Sequence, residues 1–158
     1  MSSRTPDPAL DFALQCVSAV QSAYGTKGEV PKRFRARCRH LAESLYYSGL
    51  AYTLAYVVSK AGSSALNFAL EAPAPDEIIK QAKQVKEAEE ASYALYGAFL
   101  LAFLKQAGVL EVAGAKTVLD VLGNLNRSAT AAIAEVKAIR FAEWLKRLAE
   151  GIFEAEEA

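Results

Sequence analysis

The chain has 158 residues, of which 53% are hydrophobic, with two cysteines, one histidine and equal numbers of acidic and basic side chains, 18 of each. That apolar content excludes a disordered chain, and the length suits one domain whose core needs neither disulfides nor a metal. Zero net charge hides an uneven layout: residues 1–60 hold eight Lys/Arg against four acids, while the remainder holds ten against fourteen, an asymmetry that suits a nucleic-acid face or head-to-tail contact between copies.

In chain order, Asp7 is placed to cap a first helix, with Pro8 at its first position. That helix runs to about Tyr24 with an apolar stripe of Leu10, Leu14, Val17 and Val20, and Gly25 closes it. Residues 25–30 form a loop, and Pro31 opens a second helix through about Tyr47. Ser48-Gly49 marks a break or kink. A third, very apolar helix covers about Leu50–Ala61, with Leu50, Leu54 and Val57 in the core. Gly62-Ser63-Ser64 stops it and leads into a short fourth helix over Ala65–Leu70.

Pro73-Ala74-Pro75 interrupts the chain. Asp76 then caps one long helix from Glu77 to about Ala107, charged in its first half and apolar nearly all round in its second, so that the second half forms the core. A short helix over Ala115–Leu122 is stopped by Gly123-Asn124. A last one runs from Ser128 to Glu154 on the stripe Phe141, Trp144/Leu145, Leu148 and Ile152, with Trp144 as a core anchor. No strand-like alternation interrupts the pattern. The expected fold is a single all-α domain over residues 1–158, an antiparallel bundle of about six helices, with residues 1–6 and 155–158 frayed.

The residue types for catalysis are sparse. His40 is the only histidine and stands inside a basic run; it reads as a solvated helix residue. Cys16 and Cys38 lack metal-ligand spacing and read as buried thiols in a reducing compartment. A carboxylate di-metal site would need Glu-x-x-His motifs on facing helices, whereas Glu43 follows His40 by three residues. The remaining acids fall mainly in two runs, Glu87/Glu89/Glu90 and Glu154/Glu156/Glu157, which read as solvated faces. The chain is therefore expected to be no enzyme, with no catalytic residue, cofactor or metal. Its polar start and the shortness of its apolar runs suggest a cytoplasmic protein without a membrane segment.

The strongest local feature is Lys32-Arg33-Phe34-Arg35-Ala36-Arg37-Cys38-Arg39-His40. At 100° per residue Phe34, Cys38, Leu41 and Leu45 share one face, flanked by Arg33 and Arg37 on one side and by Lys32, Arg35 and Arg39 on the other. Like charges at this density repel. Either they hold phosphates, which the planar guanidinium fork matches, or they pair with acids elsewhere in the chain or on a neighbouring subunit. Tyr46 and Tyr47 leave base stacking open, while Tyr52 and Tyr56, four apart on an apolar helix, read as helix packing.

Two segments, Ser48-Gly49-Leu50-Ala51-Tyr52-Thr53-Leu54-Ala55-Tyr56-Val57-Val58-Ser59-Lys60 and Phe141-Ala142-Glu143-Trp144-Leu145-Lys146-Arg147-Leu148-Ala149-Glu150, resemble in order and separation the small-subunit family of the Cmr complex, the type III-B CRISPR effector. That family has a Gly-Leu followed by a Thr-Leu-Ala-aromatic run and a Ser-Lys, then a Trp-Leu-Lys-Arg element on a final helix. The basic segment lies where the family has its second helix. The resemblance extends from Phe12 to Phe153, with Tyr56 in place of a Phe and no match over residues 62–84.

The resemblance implies a non-catalytic subunit in antiviral defence, stacked in several copies against the other effector subunits and lining the groove where guide and target RNA pair. It also makes Lys60, Lys146 and Arg147 candidate phosphate or partner contacts, with solvated surface as the competing reading. The alternatives are a helical protein–protein adaptor, or the small subunit of another CRISPR effector type.

Overall fold

A helix that is apolar on every side has to be covered on every side. In the computed structural model, which describes residues 5–156, α6 (Ala88–Gln106) meets this requirement: every residue from Ala91 to Leu104 is buried. The other helices are, in chain order, α1 (Pro8–Tyr24), α2 (Glu29–Ser48), α3 (Leu50–Ala61), α4 (Ser64–Glu71) and α5 (Pro75–Ala82), then α7 (Leu110–Ala113), α8 (Val118–Arg127) and α9 (Ala131–Ile152); all but α8, which packs on α3 and α7, lie against α6. The fold is all-α around one core. Helix α2 runs antiparallel to α6, since Phe34 meets Phe99 and Arg37 meets Tyr93. It is also antiparallel to α9, since Phe34 meets Phe153 and Arg39 meets Glu150.

Several ends fall where the sequence places them. Asp7 accepts a hydrogen bond from the Ala9 N–H at 3.0 Å and Pro8 opens α1; Gly25 ends it at φ +78°. Gly49, at φ +89°, turns α2 into α3. That φ favours glycine, and a Cβ would in addition lie 2.8 Å from Glu135 Oε1, displacing a carboxylate that accepts from the Leu50 N–H at 3.1 Å. A carboxylate from α9 thus caps α3, whose own sequence offers no capping side chain. Leu50, Leu54 and Val57 are all in the core.

Other expectations are corrected. Nine helices, rather than about six, are present among the described residues. The long helix over 77–107 is broken at residues 83–87, although no proline or glycine stands there. Two anchors outweigh its helical propensity. Ile78, Ile79 and Ala82 are buried, seating α5 beside α1, α4 and α6, and Lys83 donates to the Ala23 carbonyl at 2.8 Å while lying 4.2 Å over the Tyr24 ring. Glu87, Glu89 and Glu90 then fall at the start of α6, where the helix dipole favours them. Asp76 lies in the first turn of α5 rather than at its cap, which is Ala74.

The expected helix 115–122 is also displaced. Thr117 and Asp120 form a reciprocal capping box that starts α8 at Val118, and the helix passes through Gly123 to Arg127. Helix α9 starts at Ala131 rather than Ser128, because the hydroxyls of Ser128 and Thr130 are drawn to the buried Glu111 carboxylate at 3.3 and 2.9 Å.

Two apolar stripes are rotated from their expected settings. Helix α1 buries Ala9, Phe12, Ala13, Cys16, Val17 and Val20 and leaves Leu14 47% exposed. The Phe12 ring sets that rotation through contacts with Phe103 and Phe141 at 6.3 and 5.8 Å. Helix α9 buries Ala134, Ala138, Phe141, Ala142, Leu145 and Ala149, so a seam of small side chains lets α1 and α2 approach closely. Ile152 is exposed and Leu148 half-buried. Trp144 is a half-buried rim residue, not a core anchor; its Nε1 donates to Asp7 Oδ2 at 3.1 Å, beside the Arg140–Asp7 ion pair at 2.6 Å. The expected fraying of residues 1–6 and 155–158 lies partly outside the described residues.

At Gly97 a Cβ would stand 2.7 Å from Val57 Cγ1 and 2.9 Å from Leu66 Cδ1. Gly97→Ala should therefore lower stability in urea unfolding: the overpacking costs about 1–3 kcal/mol and outweighs a helix-propensity gain of about 1 kcal/mol. Gly123→Ala meets only the mobile end of Arg127 and should be neutral or stabilising. The Arg140 and Trp144 bonds hold the Asp7 carboxyl below its ordinary value of 3.8, with burial opposing them. The Asp7 contribution is thus complete above that value and lost as pH falls through the lowered one. Asp7→Asn should lower the melting temperature at pH 7 and lose less of it between pH 5 and pH 2 than the parent; parallel profiles would contradict the tie.

Candidate nucleic-acid interface

The basic run lies on α2, whose buried face is Phe34, Cys38, Leu41, Ala42 and Leu45, as its periodicity requires. Phe34 meets Phe99 and Phe153 edge-on at 5.8 and 6.1 Å. Locked in this way, the helix presents its cations along two margins.

The margin toward α3 and α6 carries Arg33 and Arg37. Arg33 pairs with Glu29 one turn earlier at 3.4 Å. Arg37 donates to the Tyr93 hydroxyl and to the Arg33 carbonyl, and its guanidinium lies 4.5 Å over the Tyr93 ring. Burial first, then the Tyr56 hydroxyl, raise the Tyr93 phenol above its ordinary value against the opposing pull of Arg37. Tyr93 is therefore a neutral seat and leaves the Arg37 charge uncompensated. Lys60 on α3 lies 5.6 Å from the Tyr56 ring, which meets Tyr93 at 6.0 Å, so Lys60 and Arg37 bracket a pair of tyrosines.

The margin toward α9 carries Lys32, Arg35 and Arg39. Arg39 pairs with Glu150 at 3.3 Å, and the same carboxylate reaches Arg147 at 3.8 Å. Lys146 joins Arg39, His40, Glu43 and Ala36 around a groove of about 380 Å³ between the two helices. Among the described residues Lys32, Arg35 and Lys146 take part in no ion pair. Of the five cations in the run, acids thus engage two, a tyrosine seats one and two carry no counter-ion. The structure gathers Arg39 and Arg147 around Glu150, sets Lys146 beside Arg39 in the groove, and places Lys60 on the opposite margin.

Other cations have structural tasks. Lys83 serves the last turn of α1 through Ala23, Lys105 that of α4 through the Leu70 carbonyl, and Lys137 the end of α6 through Ala107 at 3.4 Å. Positive charge there complements the negative end of each helix dipole.

His40 is exposed, as expected of a solvated residue. Cys16 and Cys38 are buried free thiols, and burial first raises both well above the ordinary thiol value. Tyr46 and Tyr47 are 69% and 81% exposed and meet edge-on at 4.9 Å. Tyr52, expected in helix packing, is 60% exposed: the buried face of α3 is Leu50, Thr53, Leu54 and Val57, and residue 52 lies off it. Sequence reasoning missed Glu150 and Tyr93. Glu150 lies in a quoted segment and Tyr93 in an apolar run, but only the tertiary fold joins them to α2.

No helix among the described residues is long and apolar enough to cross a membrane. A family model described as "CRISPR-associated protein (Cas_Cmr5)" matches residues 8–152. No curated protein matches the chain in sequence. Among solved structures, a chain of the type III-B Cmr-beta complex bound to non-cognate target RNA is similar with a TM-score of 0.70 and 26% identity, over 96% of this chain and 100% of that one. A chain of the type III-B Cmr-beta complex bound to cognate target RNA and AMPPnP shares the fold, with a TM-score of 0.66 and 24% identity over 94% and 97% of the two chains.

The Arg39 and Arg147 side chains are 58% and 71% exposed while Glu150 is 24% exposed, and ion pairs open to solvent on one side contribute at most about 1 kcal/mol. Glu150→Gln, which frees Arg39 and Arg147 together, should therefore lower the unfolding free energy measured in urea by less than about 1 kcal/mol. A loss of several kcal/mol would mean that the α2–α9 cations serve the fold.

Proposed function

The chain belongs to the Cas_Cmr5 family of CRISPR-associated proteins, and from that membership we propose that it is the non-catalytic small subunit of a type III-B CRISPR effector, lying against RNA through the cations of α2. In this reading it acts in the cytoplasm in antiviral defence. Its partners are the other effector subunits, further copies of itself, and guide and target RNA. Sequence is read by base pairing, and this chain meets backbone charge and shape.

The observation that carries the reading is the strip formed by Lys32, Arg35, Arg39, Lys146 and Arg147, in which one carboxylate, Glu150, engages two of the five cations. Glu150 is 24% exposed, but the Arg39 and Arg147 side chains are 58% and 71% exposed, so their open edges remain accessible to phosphate oxygens. The match to a chain from a complex bound to target RNA supports the same reading. Chemistry of its own is poorly provided for, with both thiols buried and protonated and one exposed histidine inside a cationic run. Contacts with protein partners find a place on α9, where Ile133 and Val136 are 57% and 67% exposed.

If the strip meets about four phosphates, it contributes about −2.8 to the log–log salt slope of single-strand binding, or about a 50-fold loss between 50 and 200 mM salt. Replacing Lys32, Arg35, Arg39 and Lys146 by Gln should flatten the slope of RNA retention by about that amount with helicity unchanged. An unaltered slope would reject the RNA contact and favour an adaptor whose charges dock protein alone.

A further inference from the structure

On the opposite margin of α2 from the strip, α2, α3 and α6 enclose a hollow of about 200 Å³ lined by His40, Leu41, Ser44, Tyr52, Tyr56 and Tyr93, with His40 shared between it and the α2–α9 groove. Tyr52 and Tyr56, one turn apart on α3, point to the same side. Tyr93 rises from α6 and meets Tyr56 at 67°. Leu41 and Tyr93 are buried, whereas Tyr52 stands at the mouth, a large ring turned to solvent. Ser44 and Thr53 share a hydroxyl–hydroxyl bond of 2.8 Å, and Thr53 donates to the Gly49 carbonyl at 2.8 Å, fixing α2 and α3 against each other at the rim. Two cations flank the tyrosines: Arg37, 4.5 Å from the Tyr93 ring centre, and Lys60, 5.6 Å from that of Tyr56.

The geometry points to this hollow as a seat for one unpaired RNA base, stacked on Tyr52, with its flanking phosphates near Arg37 and Lys60. The inference rests on the RNA-contacting role proposed above and assigns it a second, uncharged component. The walls set the ligand class. Four of the six lining residues, His40, Tyr52, Tyr56 and Tyr93, combine a ring with a polar atom, and no carboxylate is among the six. Ser44 and Tyr93 are already bonded to Thr53 and Arg37, but an aliphatic side chain of a protein partner would offer nothing to the polar atoms of His40 and Tyr52 and would leave the two cations without an anion. An acidic peptide would satisfy the cations but leave the ring faces open. A nucleotide brings a flat face for the rings, an edge with donors and acceptors, and an anion beside it. Stacking is tolerant of sequence, as suits a subunit that leaves sequence to base pairing.

The test compares binding of the purified full-length chain to a 12-nucleotide oligouridine and to an abasic 12-mer with the same phosphates, each across a salt series. The parent should favour oligouridine by roughly 5- to 150-fold, the worth of one base–aromatic stack. Tyr52→Ala, at an exposed position, should erase that preference, Tyr52→Phe should keep it, and the salt slope should be the same in all three proteins. A parent without preference, or a preference that survives Tyr52→Ala, overturns the base seat and leaves the phosphate grip standing. Absence of salt-dependent binding to either polymer overturns the grip and the seat together. If Tyr52→Ala instead releases the other effector subunits with the oligouridine preference intact, the hollow receives a protein side chain and the base seat is wrong.

Discussion

The burial of α6 on every side is the constraint from which the rest of the molecule follows. Fourteen consecutive residues, Ala91 to Leu104, are shielded from water, and a single outer layer of helices must supply the cover. Burying apolar side chains is worth roughly 1.5–3 kcal/mol for each large one, so the neighbours are positioned by fit to α6 before any consideration of charge. Gly97 admits Val57 and Leu66 close to the α6 backbone, and Phe99, beneath Phe34, sets the rotation of α2. The cations of α2 face outward because the opposite face of that helix is spoken for.

Positive charge is then divided between two tasks. Lys83, Lys105 and Lys137 each reach across to the carbonyl end of another helix and complement its dipole. Those contacts use the cations to close the fold. The cations of α2 and the last turns of α9 are arranged differently. Two of them share one carboxylate, Arg33 pairs with Glu29 on its own helix, one is supported by a neutral tyrosine, and Lys32, Arg35 and Lys146 have no counter-ion within the described part of the chain. Bringing them together costs repulsion, which a bound polyanion would relieve. The tyrosine-lined hollow adjoins Arg37, so charge and ring faces occur on one side of the molecule.

The all-α class, the ends of α1 and the bounds of α3 were legible in the sequence, because caps such as Asp7 and terminators such as Gly25, Gly49 and Gly62 act locally. So was the buried face of α2, since strong charge on both flanks of Phe34, Cys38 and Leu41 leaves it one orientation. The break at residues 83–87 was not legible. Its cause is a contact from Lys83 to the end of α1, some 60 positions away in the chain. Helix α9 misled through its large residues: Trp144 and Ile152 suggest a stripe, but close packing against α1 and α2 selects the alanine seam instead. At the site, the individual cations could be named in advance, whereas the partners that neutralise or seat them, Glu150 and Tyr93, come from α9 and α6.

An electron cryo-microscopy map of the assembled effector containing this chain and target RNA is the most direct test of the central claim, that the fold of α2 around α6 leaves its cations for a polynucleotide. Phosphate oxygens within about 2.7–3.2 Å of Arg35, Arg39 or Lys146 nitrogens are the expected result. The same nitrogens bound to carboxylates of neighbouring subunits, with the RNA passing elsewhere, would contradict it.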